Sequence, residues 1–215
     1  MKPNTDQKTS KQGFRPGLAG ASIIVLTGPS GSGKSTLALA LVQEGWKRLD
    51  GDALARGLYV PGSAILRDLR RVFGPGILQK DGSLDRVRLG EIVFPSLAQR
   101  KRLNAVVYPR FLRALKRALG QARRRKQRVV ADVAVYFDAG APDLRAPVVL
   151  VDAPQAVRVQ RLIRRGLSPA RAKAQAKALR FGAAARRRAD LVLDGRLPKA
   201  VLQRRLAAAL RPAAS

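Results

Sequence analysis

Short runs of aliphatic and β-branched residues alternate along this chain with longer stretches in which apolar positions recur every three or four residues. That is the pattern of β-strands separated by amphipathic helices. Ser22-Ile23-Ile24-Val25-Leu26 predicts a buried strand, and Ser35 to about Gln43 a helix stopped by Gly45. Trp46–Leu49 predicts a second, short strand that ends at Asp50-Gly51-Asp52. From about 53 to 127 the pattern is helical, with interruptions at Pro61, Gly74-Pro75-Gly76, Pro95 and Pro109. Arg128–Ala134 and Pro147–Val151 predict the next two strands, and a long basic helical region covers Gln155–Ala189. Leu191–Leu193 predicts a last strand and Pro198–Leu210 a closing helix. Strands alternating with helices of this length predict βαβ units around a parallel sheet, so the expected fold class is α/β. No internal repeat is present.

The turn between the first strand and the first helix carries the strongest chemical signal. Gly28-Pro29-Ser30-Gly31-Ser32-Gly33-Lys34-Ser35-Thr36 fits G-x-x-x-x-G-K-[ST] and sits between a predicted strand and a predicted helix. Gly28, Gly31 and Gly33 allow successive backbone N–H groups to turn inward around a phosphate. The helix N-terminus behind them adds partial positive charge. Lys34 is placed to reach the β- and γ-phosphates of ATP, and the Ser35 hydroxyl to ligate Mg²⁺. Ser30, Ser32 and Thr36 complete the expected nucleotide contacts. The expected architecture is therefore a three-layer fold of the P-loop kinase type.

Composition narrows the chemistry that can accompany the loop. With 215 residues the chain has room for one α/β domain with a real core. Cysteine and histidine are both absent, which excludes disulfides, thiolate or imidazole metal ligands and histidine-based proton transfer. Any proton must move through Asp, Glu, Lys, Tyr or water. No stretch approaches the roughly 18 apolar residues needed to span a bilayer, and the N-terminus has no apolar signal core. The expected location is the cytoplasm, with no membrane partner. Residues 1–20 are polar, basic and dotted with Pro and Gly, which predicts a disordered leader ahead of a single domain over 21–215. Lys and Arg number 43 against 14 Asp and Glu, giving a net charge of +29. Such a field attracts polyanions, nucleic acid included. The densest runs are Arg123-Arg124-Arg125-Lys126 and Arg186-Arg187-Arg188, and no aromatic residues interleave with them to stack bases. Solvated helix faces with nonspecific nucleic-acid attraction are the expectation for these runs.

So few acids make their positions informative. Asp50 and Asp52 follow the short second strand, at the end of the sheet where open α/β folds bind ligands. There a carboxylate either accepts the proton of an attacking hydroxyl or belongs to an Asp-Gly turn followed by a helix cap at Asp52. Asp132, after Val129-Val130-Ala131, is placed either as a Walker-B acid near Mg²⁺ or as a strand acid facing an edge. Asp138 follows Tyr136-Phe137 and is placed to face an acceptor, and Asp152, at another strand end, is placed equally to cap a helix before Pro154. Arg158, Arg161 and Arg165 share one helical face in the basic region. Guanidinium groups there suit a lid that neutralises a transferring phosphoryl group. By analogy with small P-loop kinases, the helical insertion at about 53–127 would hold the phosphate acceptor and the helices at about 155–189 would form the lid.

In order along the chain these segments resemble the dephospho-coenzyme A kinase family, from about Ile23 to Leu210. Asp50-Gly51-Asp52-Ala53-Leu54-Ala55-Arg56 is similar to the family's D-A-D-x-x-A-R. Val60-Pro61-Gly62, Phe73-Gly74, Asp81-Gly82-Ser83-Leu84-Asp85-Arg86, Leu89-Gly90-Glu91-Ile92-Val93-Phe94 and Asp190-Leu191-Val192-Leu193-Asp194 also match. The resemblance implies ATP-dependent phosphorylation of the ribose 3′-hydroxyl of dephospho-coenzyme A. It implies Asp52 as catalytic base, Lys34 and the loop amides on the phosphates, Ser35 at Mg²⁺, and Arg56 with Arg161 or Arg165 as anion contacts. The chain departs from the family at Tyr108-Pro109, where the family has His-Pro. It departs again at Ala134-Val135-Tyr136-Phe137-Asp138, where the family has P-L-L-F-E. Both departures lie on the acceptor side, so Tyr108 and Asp138 are expected to touch the acceptor. They leave open a kinase for another small hydroxyl compound, and the charge leaves open a nucleotide-binding protein with a nucleic-acid role.

Overall fold

The computed structural model describes residues 17–179 and 181–212. Residues 1–16, most of the predicted leader, lie outside the described residues. Leu18 and Ala21 pack against the core, and the Gly20 amide donates to the Leu210 carbonyl at 3.0 Å.

Five parallel strands form one sheet: β1 (Ile23–Thr27), β2 (Lys47–Asp50), β3 (Val129–Asp132), β4 (Val148–Asp152) and β5 (Leu191–Asp194), in spatial order β2-β3-β1-β4-β5. The central strand β1 is buried along its whole length, as an apolar run flanked on both edges must be. Its side chains alternate between two cores. Ile24 and Leu26 face α1 (Lys34–Gln43) and α9 (Lys199–Leu210), and Ile23 and Val25 face Phe111, Leu115 and Leu119 of α5 (Leu97–Arg124). From β1 the chain moves outward to β2, returns to β3, and then crosses to β4 on the other side. β1 is therefore the switch point, and its carboxyl end opens into the crevice where such sheets bind ligands.

A third core gathers α3 (Ala64–Phe73), the 3₁₀ turn Pro75–Ile77, α4 (Arg86–Val93) and the first half of α5 around Ile65, Leu66, Leu69, Ile77 and Val107. α2 (Gly51–Arg56) leads from β2 into this lobe. The basic region divides into α6 (Gln155–Arg164), α7 (Pro169–Ala178) and α8 (Ala183–Arg188). Leu162, Ala172 and Ala176 give α6 and α7 only a small apolar contact. The buried Arg158 reinforces it, donating to the Ala153 carbonyl at 3.0 Å and the Ala176 carbonyl at 2.8 Å.

The helical pattern and the start of the second strand differ from expectation. Pro109 is expected to interrupt a helix, yet α5 runs through it unbroken. Val107, Phe111, Leu115, Leu119 and Ala122 bury one continuous stripe, which holds the helix together where propensity alone would break it. The Arg110 guanidinium also donates to the Val106 carbonyl at 3.1 Å. Trp46 is expected to open the second strand. It instead fills the core ahead of β2, with the Arg128 guanidinium 4.6 Å from its ring centroid.

The densest basic runs are partly engaged within the chain. Arg123 donates to the Leu144 and Arg145 carbonyls, Arg186 pairs with Asp152 at 2.7 Å, and Arg188 donates to the Gly140 and Ala141 carbonyls. Of the readings open for Asp152, the cap is not taken: Asp152 joins this ion pair, and Pro154 stands at the cap position of α6. No helix among the described residues is long and apolar enough to cross a membrane.

Candidate active site

The phosphate-binding loop leaves β1 at Gly28 and enters α1 at Lys34, with Gly31 and Gly33 at φ of 81° and 104°. The Ser32 amide closes onto the Pro29 carbonyl at 3.1 Å. The Ser32 hydroxyl is wholly buried and has no partner among the described residues. A cavity of about 190 Å³ opens above the loop, lined by residues 28–35 and walled by Asp52, Ala134, Arg165 and Gln175. A second cavity, of about 450 Å³, lies behind Gly33 and Thr36 and is bounded by Arg161, Arg165 and the turn Gly195–Lys199. Arg165 lines both.

A string of charges runs from the loop into the sheet. The Lys34 ammonium donates to Asp132 Oδ1. Arg48 donates to Asp132 Oδ2 through Nη2 at 2.7 Å and Nε at 3.2 Å. Arg48 Nη2 also stands 3.3 Å from Asp50 Oδ2. The other oxygen of Asp50 accepts the Asp52 and Ala53 amides at 2.9 and 3.0 Å, capping α2. The cap expected as one reading of Asp52 falls to Asp50 instead. Asp50 is the cap, and Asp52 stands exposed on the first turn of α2, facing the loop across the smaller cavity. Burial opposes ionisation of Asp50, but the Ala53 amide and then the Arg48 charge hold its carboxyl below the usual range.

The Arg161 guanidinium is held by backbone oxygens. It donates to the Gly31 and Ser32 carbonyls at 3.3 and 3.2 Å and to the Gly195 carbonyl at 2.7 Å, so it braces the loop against the turn after β5. Gln175 of α7 donates to Ser30 Oγ at 3.3 Å, which brings the second basic helix onto the loop. Arg56 is exposed one helical turn beyond Asp52. Tyr108 and Asp138 line neither cavity, but they lie close enough for the Asp138 charge to act on the phenol. Phe137, between Tyr136 and Asp138, meets Phe181 edge-on at 5.3 Å, linking the segment after β3 to the basic helices.

Burial, reinforced by Asp138, pushes the Tyr108 phenol up from 10.0 to about 12. A raised folded pKa means that the folded state holds this proton more tightly than the unfolded chain. The corresponding stability is complete below the unfolded value near 10 and is lost as pH rises through about 12. Ultraviolet titration is expected to show a phenol ionising near 12, and Tyr108→Phe to remove that step. If the late step persists in the variant, it belongs to another tyrosine.

Three residues that touch the loop or its charges, Arg48, Gln175 and Gly195, are not marked by the sequence. Arg48 is visible in principle, since residues two apart on a strand share a face and Asp50 is already marked. Gln175 lies in a helix of Ala, Lys and Arg with no pattern to single it out. Gly195 is revealed only by packing: a Cβ there would fall 2.1 Å from the Ser32 carbonyl oxygen.

The sequence model of the family described as dephospho-CoA kinase matches residues 22–197. The chain belongs to the dephospho-CoA kinase family. It is 38% identical over 178 residues to the dephospho-CoA kinase of Symbiobacterium thermophilum, covering 81% of this chain and 74% of that one. It is 38% identical over 184 residues to that of Corynebacterium diphtheriae, covering 85% and 92%. Among solved structures, TT1252 from Thermus thermophilus superposes with a TM-score of 0.69 at 34% identity, covering 86% of this chain and 94% of the other. The dephospho-CoA kinase from Campylobacter jejuni shares the fold, with a TM-score of 0.62 at 20% identity and coverage of 87% and 94%. The span matched to the dephospho-CoA kinase family takes in the loop, Asp52, both acceptor-side departures and the three basic helices.

Proposed function

We propose that this chain transfers the γ-phosphoryl group of ATP to the ribose 3′-hydroxyl of dephospho-coenzyme A, releasing coenzyme A and ADP. The observation that carries the proposal is a single cavity with the phosphate loop as its floor and the Asp52 carboxylate on its wall. The loop amides and Lys34 would bind and orient the β- and γ-phosphates, with Gly28, Ser30, Gly31, Ser32, Gly33 and Thr36 shaping the approach. Asp52 would take the proton of the attacking hydroxyl as the oxygen–phosphorus bond forms. Arg165, between the two cavities, would offset charge on the phosphates, and Arg161 would hold the loop in its binding shape. Arg56, Tyr108 and Asp138 would meet the acceptor.

The residues present also fit Mg²⁺. This ion is ordinarily held by one or two protein oxygens plus substrate phosphates and water, and the loop offers the Ser35 hydroxyl in the cavity. Ser35 and Asp132 would hold it. It would supply positive charge there, offsetting the negative charge that develops on the transferring phosphoryl group.

In this reading residues 21–215 act as one domain. The lobe within about 53–127 receives the acceptor, and α6–α8 form a lid latched at Gln175. The enzyme would work in the cytoplasm. Its +29 charge would draw nucleic acid only through counterion release, which fades steeply as salt rises.

A second reading rests on Tyr108 and Asp138, which replace the family's pattern on the acceptor side: the acceptor is another small hydroxyl compound. Coupled ADP release from Mg²⁺-ATP, with dephospho-coenzyme A and with a panel of other alcohols, separates the two. Saturable release that depends on dephospho-coenzyme A is the expected result. A stronger response to another alcohol would move the assignment to the second reading. ATP binding without release for any acceptor would remove the kinase proposal.

A further inference from the structure

Asp50 and Asp132 stand opposite each other in register on the adjacent parallel strands β2 and β3. Arg48, two residues before Asp50, shares their face of the sheet. Two carboxylates so placed repel, and Asp132, with a side chain 2% exposed, needs a counter-charge to stay ionised. Lys34 satisfies one of its oxygens. Yet Lys34 is also the cation that the nucleotide phosphates require. Were it the only partner of a buried carboxylate, ATP would have to take it away and leave that charge unpaired.

We infer that Arg48 is a positioning residue that frees Lys34 for the nucleotide, by holding the buried Asp132 in an ion pair of its own and tying it to Asp50. Two of its donors meet Asp132 Oδ2, and the same guanidinium reaches Asp50 Oδ2. Lys34 and Arg48 balance Asp132 and Asp50, two charges against two. When Lys34 turns to phosphate, Asp132 keeps a bonded cation. Asp50 meanwhile keeps its hold on the α2 amides from which Asp52 projects. A planar guanidinium spans two carboxylates in a way that an ammonium does not.

The inference rests on the proposed role of Lys34 toward ATP, and its test separates the two. ATP affinity is measured by calorimetry in EDTA, so that neither Mg²⁺ nor turnover enters, on the parent, Arg48→Leu, Asp132→Asn and the double variant. With the Asp132 carboxylate in place, Arg48→Leu leaves Lys34 as the sole partner of a buried charge and is expected to weaken ATP binding about tenfold. In the Asp132→Asn background no charge holds Lys34, and the same change is expected to cost less than twofold. A coupling of this kind is what a double-mutant cycle isolates. Equal losses in both backgrounds would overturn the inference, because Arg48 would then be acting as one more positive charge or as a structural prop. Loss of melting temperature without a background-dependent affinity would overturn it as well. If Arg48→Leu does not fold, Arg48→Lys carries the test. A single ammonium cannot span both acids, so a loss of about threefold is expected with Asp132 intact and none in the Asp132→Asn background. Equal losses again overturn it. If the parent itself binds no ATP, the reading of the phosphate loop fails first and this inference falls with it.

Discussion

Asp52→Asn is expected to lower kcat by about 100-fold or more while ATP affinity stays within about twofold of the parent, the scale set by loss of a positioned base. The substitution is clean because of how α2 begins. Its cap comes from Asp50, which accepts the backbone amides of Asp52 and Ala53, so the Asp52 side chain holds no part of the helix start. Its carboxyl is exposed to the cavity, so a neutral amide of the same size adds no desolvation cost. What changes is the capacity to take a proton from a hydroxyl attacking the γ-phosphoryl group. Histidine is absent from the chain, so no imidazole stands in. ADP release under saturating substrates gives kcat, and calorimetry gives the affinity. Turnover near that of the parent would remove Asp52 from the reaction. An equal loss of affinity would make it a binding group rather than a base.

The order of strands and helices was legible because local pattern and global fold agree over most of the chain. β1 reads as a buried strand on apolar content alone, and its burial follows from its place at the sheet centre. The sequence could not order the sheet beyond requiring right-handed βαβ crossovers, because strand order depends on which edges meet in space. Pro109 shows the opposite failure. Local chemistry favours a break, and a buried stripe from Val107 to Ala122 outweighs it. The divisions within the basic region were illegible for another reason. Ala, Arg and Lys favour helix almost equally, and only Gly166 and the Ser168 and Gly182 caps mark where one helix stops and the next begins.

The candidate site was legible where one backbone segment supplies it and illegible where it is assembled across the sheet. The loop and its lysine stand in nine consecutive residues, and the motif carries its own mechanism. Asp132 is marked as a strand acid by its sequence, but its partners come from α1 and β2, far away along the chain. Arg161 or Arg165 is expected as an anion contact. Arg161 also bonds three backbone carbonyls, which need donors where the chain turns away from regular structure. Among so many arginines, nothing in the sequence distinguishes one that braces from one that binds.

Gly31→Ala is expected to weaken ATP binding at least tenfold and to lower the melting temperature by several degrees. Gly31 sits at φ 81°, and a Cβ there would lie 2.7 Å from the Arg158 carbonyl oxygen and 3.0 Å from its Cα. Both atoms are backbone of α6, so no side-chain rotation relieves the contact. The left-handed conformation alone costs alanine about 1–2 kcal/mol, which for a chain of this size corresponds to roughly 2–4 °C per kcal/mol. The steric conflict adds to that and moves the loop, whose amides must converge on a phosphate to bind it. Gly45→Ala separates the two effects. Gly45 has nearly the same φ, 85°, at the end of α1, with nothing within 4 Å of its would-be Cβ. The strain there should cost stability while leaving ATP affinity unchanged. Thermal melts and calorimetric titrations of the two variants read stability and binding independently. Parent-like ATP affinity in Gly31→Ala would mean that the loop binds nucleotide without the close approach to α6 on which its shape depends.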